Sequence, residues 1–125
     1  MSTGRRLRVL IVDDEPLLVR SFTRILERDH DVTAFSSARE ALRRIEAGES
    51  WDVILCDLHM PEMDGMAFFE RLSRGRPELA ARLVFITGGA FTPRAEAFLK
   101  DTTRPTIEKP LHPEALRALV AQMAP

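Results

Sequence analysis

Three short apolar runs, each followed by a polar residue, constrain the fold of this chain more than any other feature. They occupy residues 7–12, 51–56 and 83–86 and are rich in valine, isoleucine and leucine. Apolar and polar residues do not alternate along them as they would in a strand with one solvated face. A strand that is apolar throughout is typical of a parallel sheet covered by helices on both faces. The runs therefore predict the central strands of an α/β fold.

The segments between the strands have helix signals. A proline stands at the expected first helical residue in three of them, and Ser37 with Glu40 forms a capping-box pattern. Helices are predicted to begin near Pro16, Ser37, Asp64, Thr92 and Pro113. Weaker strand patterns cover residues 31–36 and 103–107. Five strand–helix units in succession predict a parallel sheet with helices on both faces.

Composition limits the class of protein. The 125 residues correspond to one domain, predicted as residues 1–125 with a core of about 7–123. Cys56 is the single cysteine, so no internal disulfide can form, and the expected compartment is the cytoplasm. With 18 basic and 19 acidic side chains, the net charge of −1 argues against direct nucleic-acid binding. The apolar runs are too short for a membrane span.

Chemistry-bearing residues follow the predicted strands. Asp13 and Asp14 end the first strand, Asp57 the third and Thr87 the fourth, while Lys109 follows the fifth. Ligands of such folds bind beyond the carboxyl ends of the strands, where the strand order reverses. These side chains are therefore expected to converge at one edge of the sheet.

Three neighbouring carboxylates repel one another unless a cation lies among them. Oxygen ligands suit a hard cation, and a phosphoryl partner favours Mg²⁺. A lysine can pair with a phosphoryl oxygen, and a threonine can donate a hydrogen bond to one. The combination suits in-line phosphoryl transfer onto a carboxylate. Each residue alone has an ordinary explanation as a cap or a solvated side chain, and it is their joint order that favours a site.

Four motifs resemble the receiver domain of bacterial two-component response regulators. They are Val9-Leu10-Ile11-Val12-Asp13-Asp14-Glu15-Pro16, Asp57-Leu58-His59-Met60-Pro61-Glu62-Met63-Asp64-Gly65, Thr87-Gly88 and Lys109-Pro110. The resemblance covers essentially the whole chain. It implies a flavodoxin-like (βα)5 three-layer sandwich with a five-stranded parallel sheet in the order 2-1-3-4-5.

The resemblance also implies a Mg²⁺ site. Asp14 matches the direct metal ligand, and Asp13 matches an acid that holds the metal, commonly through water. Asp57 and the backbone carbonyl of His59 match the remaining protein ligands. The side chain of His59 is hypothesised to tune the lifetime of the phosphoryl group, and a loop histidine without a kinetic role is the alternative.

The implied reaction is autocatalytic rather than that of an enzyme acting on a separate substrate. Asp57 matches the phosphoacceptor, which takes its phosphoryl group from a histidine of a sensor kinase or of a phosphotransfer domain. Thr87 matches the hydroxyl that moves on switching, and Lys109 matches the lysine that pairs with the phosphoryl group. Pro110 matches a proline that often follows a cis peptide. A downstream protein would read the switched state.

One position departs from the family pattern. An aromatic residue usually stands three residues before the lysine, and here that residue is Thr106. The chain contains no tyrosine. The coupled movement of a threonine and an aromatic ring is therefore in question, whereas the threonine itself is retained.

Three functional classes stay open at this point. They are a phosphorylated receiver, a receiver-like docking module that is never phosphorylated, and an enzyme such as a flavin carrier or an aspartyl-phosphate hydrolase. The intact acidic and basic set argues against the docking module. No glycine-rich phosphate loop follows the first strand, which argues against a nucleotide or flavin. Residues 85–91 and 109–111 resemble receivers of hybrid sensor kinases, and a stand-alone regulator is the alternative.

Overall fold

The predicted parallel sheet is present, with every strand paired in parallel. The computed structural model describes residues 5–89 and 92–124, and the strands and helices below are those of the described residues. The strands are β1 (Arg8–Val12), β2 (Asp31–Phe35), β3 (Val53–Asp57), β4 (Leu83–Thr87) and β5 (Thr106–Glu108). Their order is β2-β1-β3-β4-β5, which confirms the predicted topology. The direction of winding reverses between β1 and β3, so the ends of these strands border the crevice in which ligands of such folds bind.

Six helices accompany the strands, one more than predicted. They are α1 (Pro16–Leu26), α2 (Ala38–Glu46), α3 (Gly65–Gly75), α4 (Pro77–Ala80), α5 (Pro93–Asp101) and α6 (Pro113–Gln122). The predicted caps form: Ser37 accepts the N–H of Glu40, and Thr92 accepts the N–H of Ala95. Helix α4 is a single turn begun by Pro77, too short to leave a periodic pattern in the sequence.

The core has two parts, one on each face of the sheet. Alternate residues of β1 point to opposite faces, with Leu10 and Val12 on one and Val9 and Ile11 on the other. Helices α2, α3 and α5 cover the first face, and α1 and α6 cover the second. This arrangement is the predicted three-layer sandwich. Within the part of the chain that the structure describes, no helix is long and apolar enough to cross a bilayer.

Two strands begin two or more residues away from their predicted starts. Strand β5 was expected over residues 103–107 but covers Thr106–Glu108, because Pro105 has no N–H to donate to the ladder. Strand β3 begins at Val53 rather than at Trp51. The side chain of Asp52 accepts the N–H of Arg8 there, and Trp51 is buried just outside the ladder.

Helix α3 begins in direct contact with the end of β3. A Cβ atom added to Gly65 would lie 2.4 Å from the carbonyl oxygen of Asp57 and 3.0 Å from the Cα of Leu58. The side chain of Asp64 caps this helix by accepting the N–H of Ala67. Only glycine allows α3 to pack this closely against the backbone that carries Asp57.

The close packing predicts opposite effects of alanine at the two ends of α3. Gly65→Ala should lower the free energy of unfolding by about 1–3 kcal/mol, since backbone must move to admit the methyl group. Gly75→Ala is the matched control, because no atom lies within 4 Å of its added Cβ. It should be neutral or stabilising by about 0.4–1 kcal/mol. Urea denaturation measures both, and equal effects would contradict the packing argument.

Candidate functional site

The five residues predicted from the strand ends meet at one edge of the sheet. Asp57 and Thr87 are the last residues of their strands, and Asp13 follows β1 directly. The register pairs Asp57 with Ile86 and Thr87 with Glu108. The N–H of Lys109 donates to the carbonyl oxygen of Thr87 at 2.8 Å, which fixes the start of the loop after β5.

Asp13, Asp14 and Asp57 form a compact acidic cluster. Each offers a carboxylate oxygen, and these oxygens lie within 4.8 Å of one another. Asp13 and Asp57 are buried, whereas Asp14 is exposed. One oxygen of Asp13, Oδ1, accepts the N–H of Glu15 at 2.9 Å. The other, Oδ2, is buried and has no hydrogen-bond donor among the described residues.

This donor set fits a hard divalent cation. All three side chains offer oxygen, and a buried carboxylate oxygen without a donor carries a desolvation cost that a cation would offset. The loop after β3 adds a further constraint, since the N–H of His59 points to Asp57 Oδ1 at 3.4 Å. Asp13, Asp14 and Asp57 are the residues whose side chains could together hold a divalent cation. The side chain of His59 is exposed.

Lys109 provides the positive charge of the site. Its Nζ lies 3.6 Å from Asp13 Oδ2, 3.8 Å from Asp57 Oδ1 and 3.5 Å from Glu15 Oε2. Burial opposes the charge on Lys109, but the carboxylates of Asp57, Asp13 and Glu15 outweigh that effect and raise its pKa. The contact with Glu15 was missed from the sequence. The sequence feature that could have indicated this contact is the acidic run Asp13-Asp14-Glu15, of which only the first two residues were assigned to the site.

The carboxyl group of Asp57 is strongly perturbed. Burial, followed by the negative charge of Asp13, raises its pKa from 3.8 to about 6. Lys109 and the N–H of His59 oppose this rise. Burial likewise raises the pKa of Asp13, against the N–H of Glu15 and the charge of Lys109. At neutral pH Asp57 is therefore ionised and poorly solvated, the state expected of a carboxylate nucleophile that gains from a nearby cation.

Thr87 is fully buried at the end of β4. Its Oγ1 accepts the N–H of Gly89 at 3.2 Å, so in this state the side chain holds the loop that follows the strand. Gly89 has a φ of 89°, a conformation that glycine adopts without strain. Residues 90 and 91, the end of the segment that resembles hybrid-kinase receivers, lie outside the described residues.

Three further residues, Pro110, Thr106 and Cys56, have well-defined positions in the fold. The Lys109–Pro110 peptide is cis. Thr106 begins β5 with an exposed side chain, which is the position of a simple strand residue. Cys56 is buried, and burial raises the pKa of its thiol well above the usual value, so it is an unreactive core residue.

The charge on Asp57 should destabilise the metal-free fold. Because its pKa is higher in the folded chain than the unfolded value of 3.8, folding stability falls as pH rises from about 4 through 6. In EDTA at pH 7.5, Asp57→Asn should raise the free energy of unfolding by about 1–3 kcal/mol, and this gain should vanish near pH 4.

The exposed Asp101→Asn is the matched control and should change stability by less than about 0.5 kcal/mol at either pH. Urea denaturation at the two pH values is the measurement. A pH-independent effect of Asp57→Asn would contradict the raised pKa.

Comparison with known proteins identifies the family. The sequence profile of the response regulator receiver domain matches residues 9–121. A protein-glutamate methylesterase/protein-glutamine glutaminase of Xanthomonas oryzae pv. oryzae is 42% identical over 83 residues, which cover 62% of this chain and 22% of that protein. The match thus spans 13–22% of the length of the first curated relatives.

Solved structures have the same fold. The signal receiver domain of a signal transduction histidine kinase from Syntrophus aciditrophicus superposes with a TM-score of 0.80 at 28% identity, covering 94% of this chain and 89% of that one. A response regulator receiver domain protein from Clostridium thermocellum gives 0.79 at 25% identity, covering 93% and 92%. With the flavodoxin-like topology and the acidic site already in place, the profile match over nearly the whole length shows that this chain belongs to the response regulator receiver domain family of two-component signalling.

Proposed function

We propose that this receiver accepts a phosphoryl group on Asp57 from a phosphohistidine of a sensor kinase or of a histidine phosphotransfer domain. The observation that carries the proposal is the environment of Asp57. A buried carboxylate with a raised pKa lies beside a second buried carboxylate and 3.8 Å from an ammonium group. That arrangement favours a nucleophile whose product gains from neighbouring cations.

The chemical step is an in-line displacement at phosphorus. One oxygen of Asp57 forms a bond to phosphorus while the P–N bond of the phosphohistidine breaks, and the imidazole nitrogen keeps the electron pair. Lys109 neutralises negative charge on the phosphoryl oxygens. Mg²⁺, held by Asp13, Asp14, Asp57 and the backbone carbonyl of His59, would supply further charge neutralisation. Hydrolysis of the acyl phosphate returns Asp57, so the isolated domain turns over only its own phosphoryl group.

The proposed switch centres on Thr87. Its hydroxyl accepts a hydrogen bond from Gly89 in this state and would donate one to a phosphoryl oxygen on Asp57. Rotation of the side chain toward Asp57 would release the Gly89 N–H. Because Thr106 replaces the usual aromatic residue, the freed Gly89 backbone is the proposed route of signalling to a protein target.

The wider setting stays a prediction. A single receiver over residues 1–125 is proposed, whether it acts alone or within a hybrid sensor kinase, and the likeness to a histidine-kinase receiver is compatible with the second arrangement. The cytoplasmic compartment and a role of His59 in tuning the lifetime of the phosphoryl group are parts of the same proposal. A docking module that is never phosphorylated is the outcome that would replace this proposal.

Phosphorylation should be visible by intact-mass spectrometry. Incubation with Mg²⁺ and acetyl phosphate should add one phosphoryl group to the wild-type chain, and EDTA or Asp57→Asn should abolish the adduct. Asp52→Asn, which changes the aspartate just before β3 at the far end of that strand, is the matched control and should keep it. If wild type forms no adduct and binds no beryllofluoride, the docking module is the better description.

Loss of the ammonium group should slow the reaction without unfolding the chain. Lys109→Met should reduce the rate of phosphorylation by about 100-fold or more, the usual loss for a removed charge-stabilising group. Lys100→Met is the control, because that lysine is exposed on α5. Quench-flow or timed mass spectra give the rates. Equal rates for the two variants would remove Lys109 from the mechanism.

A further inference from the structure

Glu15 differs from the residues that cap the other long helices. The side chains of Ser37, Asp64, Thr92 and His112 each accept a backbone N–H of the helix they precede. The side chain of Glu15 makes no such bond, although Glu15 is the N-cap of α1. Its carboxylate instead lies 3.5 Å from Nζ of Lys109, a residue 94 positions away in the chain.

The backbone of Glu15 is fixed at the rim of the site. Its N–H donates to Asp13 Oδ1 at 2.9 Å, and its carbonyl oxygen accepts the N–H of Val19 at 3.1 Å. The side chain is 57% exposed. A cleft of about 410 Å³, lined by Glu15, Leu18, Lys109 and Pro110 among others, runs along the pair. The carboxylate can therefore release Lys109 without a change in the backbone.

Three carboxylates share the ammonium group of Lys109. Of the three distances, the one to Glu15 is the shortest and the one to Asp57 is the longest. A phosphoryl group on Asp57 would need Lys109 to turn toward it. Glu15 is then a competitor, because it attracts the same ammonium group toward the rim.

We propose that Glu15 is a positioning residue that holds Lys109 at the rim of the resting site and competes with the phosphoryl group for it. This inference rests on the proposed phosphorylation of Asp57. The Glu15 side chain is 57% exposed, whereas that of Lys109 is 21% exposed. Because solvent reaches the carboxylate, the competition is modest: a solvent-accessible ion pair contributes about 0.2–1 kcal/mol, which corresponds to at most about a five-fold change in an equilibrium. Glu15 thereby sets how readily the receiver is phosphorylated.

The test compares Glu15→Gln with Glu40→Gln. Glu40 lines a neighbouring cleft with Asp13 and Asp14, so its substitution also removes negative charge near the acidic cluster. Beryllofluoride in saturating Mg²⁺ serves as the phosphoryl mimic, with binding followed by calorimetry. Glu15→Gln should bind it about two- to five-fold more tightly than wild type, and Glu40→Gln should not.

A double-mutant cycle separates the contact with Lys109 from a general effect of charge. In a Lys109→Met background, Glu15→Gln should no longer tighten binding. In the wild-type background, the gain should shrink at 1 M salt, where the interaction of exposed charges is screened. With acetyl phosphate, the maximal rate of phosphorylation should rise in Glu15→Gln while the half-saturating concentration stays constant.

Three results would overturn this inference and leave the proposed function intact. The first is equal binding by Glu15→Gln, Glu40→Gln and wild type, and the second is a gain that persists without Lys109. The third is weaker binding by Glu15→Gln, since Glu15 would then support the phosphorylated state. A wild-type chain that binds no beryllofluoride would overturn the proposed function and this inference with it.

Discussion

The rest of this site depends on one electrostatic constraint: the carboxyl edge of the sheet has more negative than positive charge. Two buried carboxylates, Asp13 and Asp57, share a single ammonium group with Glu15 at the rim. Burial penalises each negative charge, and proximity adds repulsion. The resting site is therefore poised to gain from a cation. The raised pKa of Asp57 and the buried Oδ2 of Asp13, which accepts no hydrogen bond from the described residues, both result from this imbalance.

The fold maintains this imbalance because its surroundings are rigid. Strands β1, β3 and β4 are buried on both faces. Neither Asp13 nor Asp57 can therefore move into solvent without disrupting the core. Helix α3 presses on the backbone of Asp57 through Gly65, which fixes the carboxylate from the other side. The groups that can move lie at the rim. The Glu15 side chain is exposed there, and Thr87 accepts a hydrogen bond from the N–H of Gly89. A change of charge on Asp57 would act first on these groups.

Much of this was predictable because local rules and the global fold agree. The apolar runs specified the central strands, and Ser37, Thr92 and the prolines specified helix starts. The boundaries of β5 were wrong, since Pro105 interrupts the ladder in a segment whose apolar pattern is weak. Helix α4 was missed because one turn has no periodicity. The ion pair of Glu15 with Lys109 was missed because nothing in the local sequence relates residues 94 positions apart.

The sequence alone determined which groups reach the site. In a parallel sheet the residue after each buried strand must emerge at the same edge, so Asp13, Asp57 and Thr87 could be assigned from their order in the chain. The tertiary structure decided how closely Lys109 pairs with each carboxylate. Distances between Lys109 and its three carboxylates, and the degree of burial of each, depend on side-chain positions contributed by separate strands and loops. Electrostatic energies vary steeply with such distances and with solvent access, and neither is encoded in residue order.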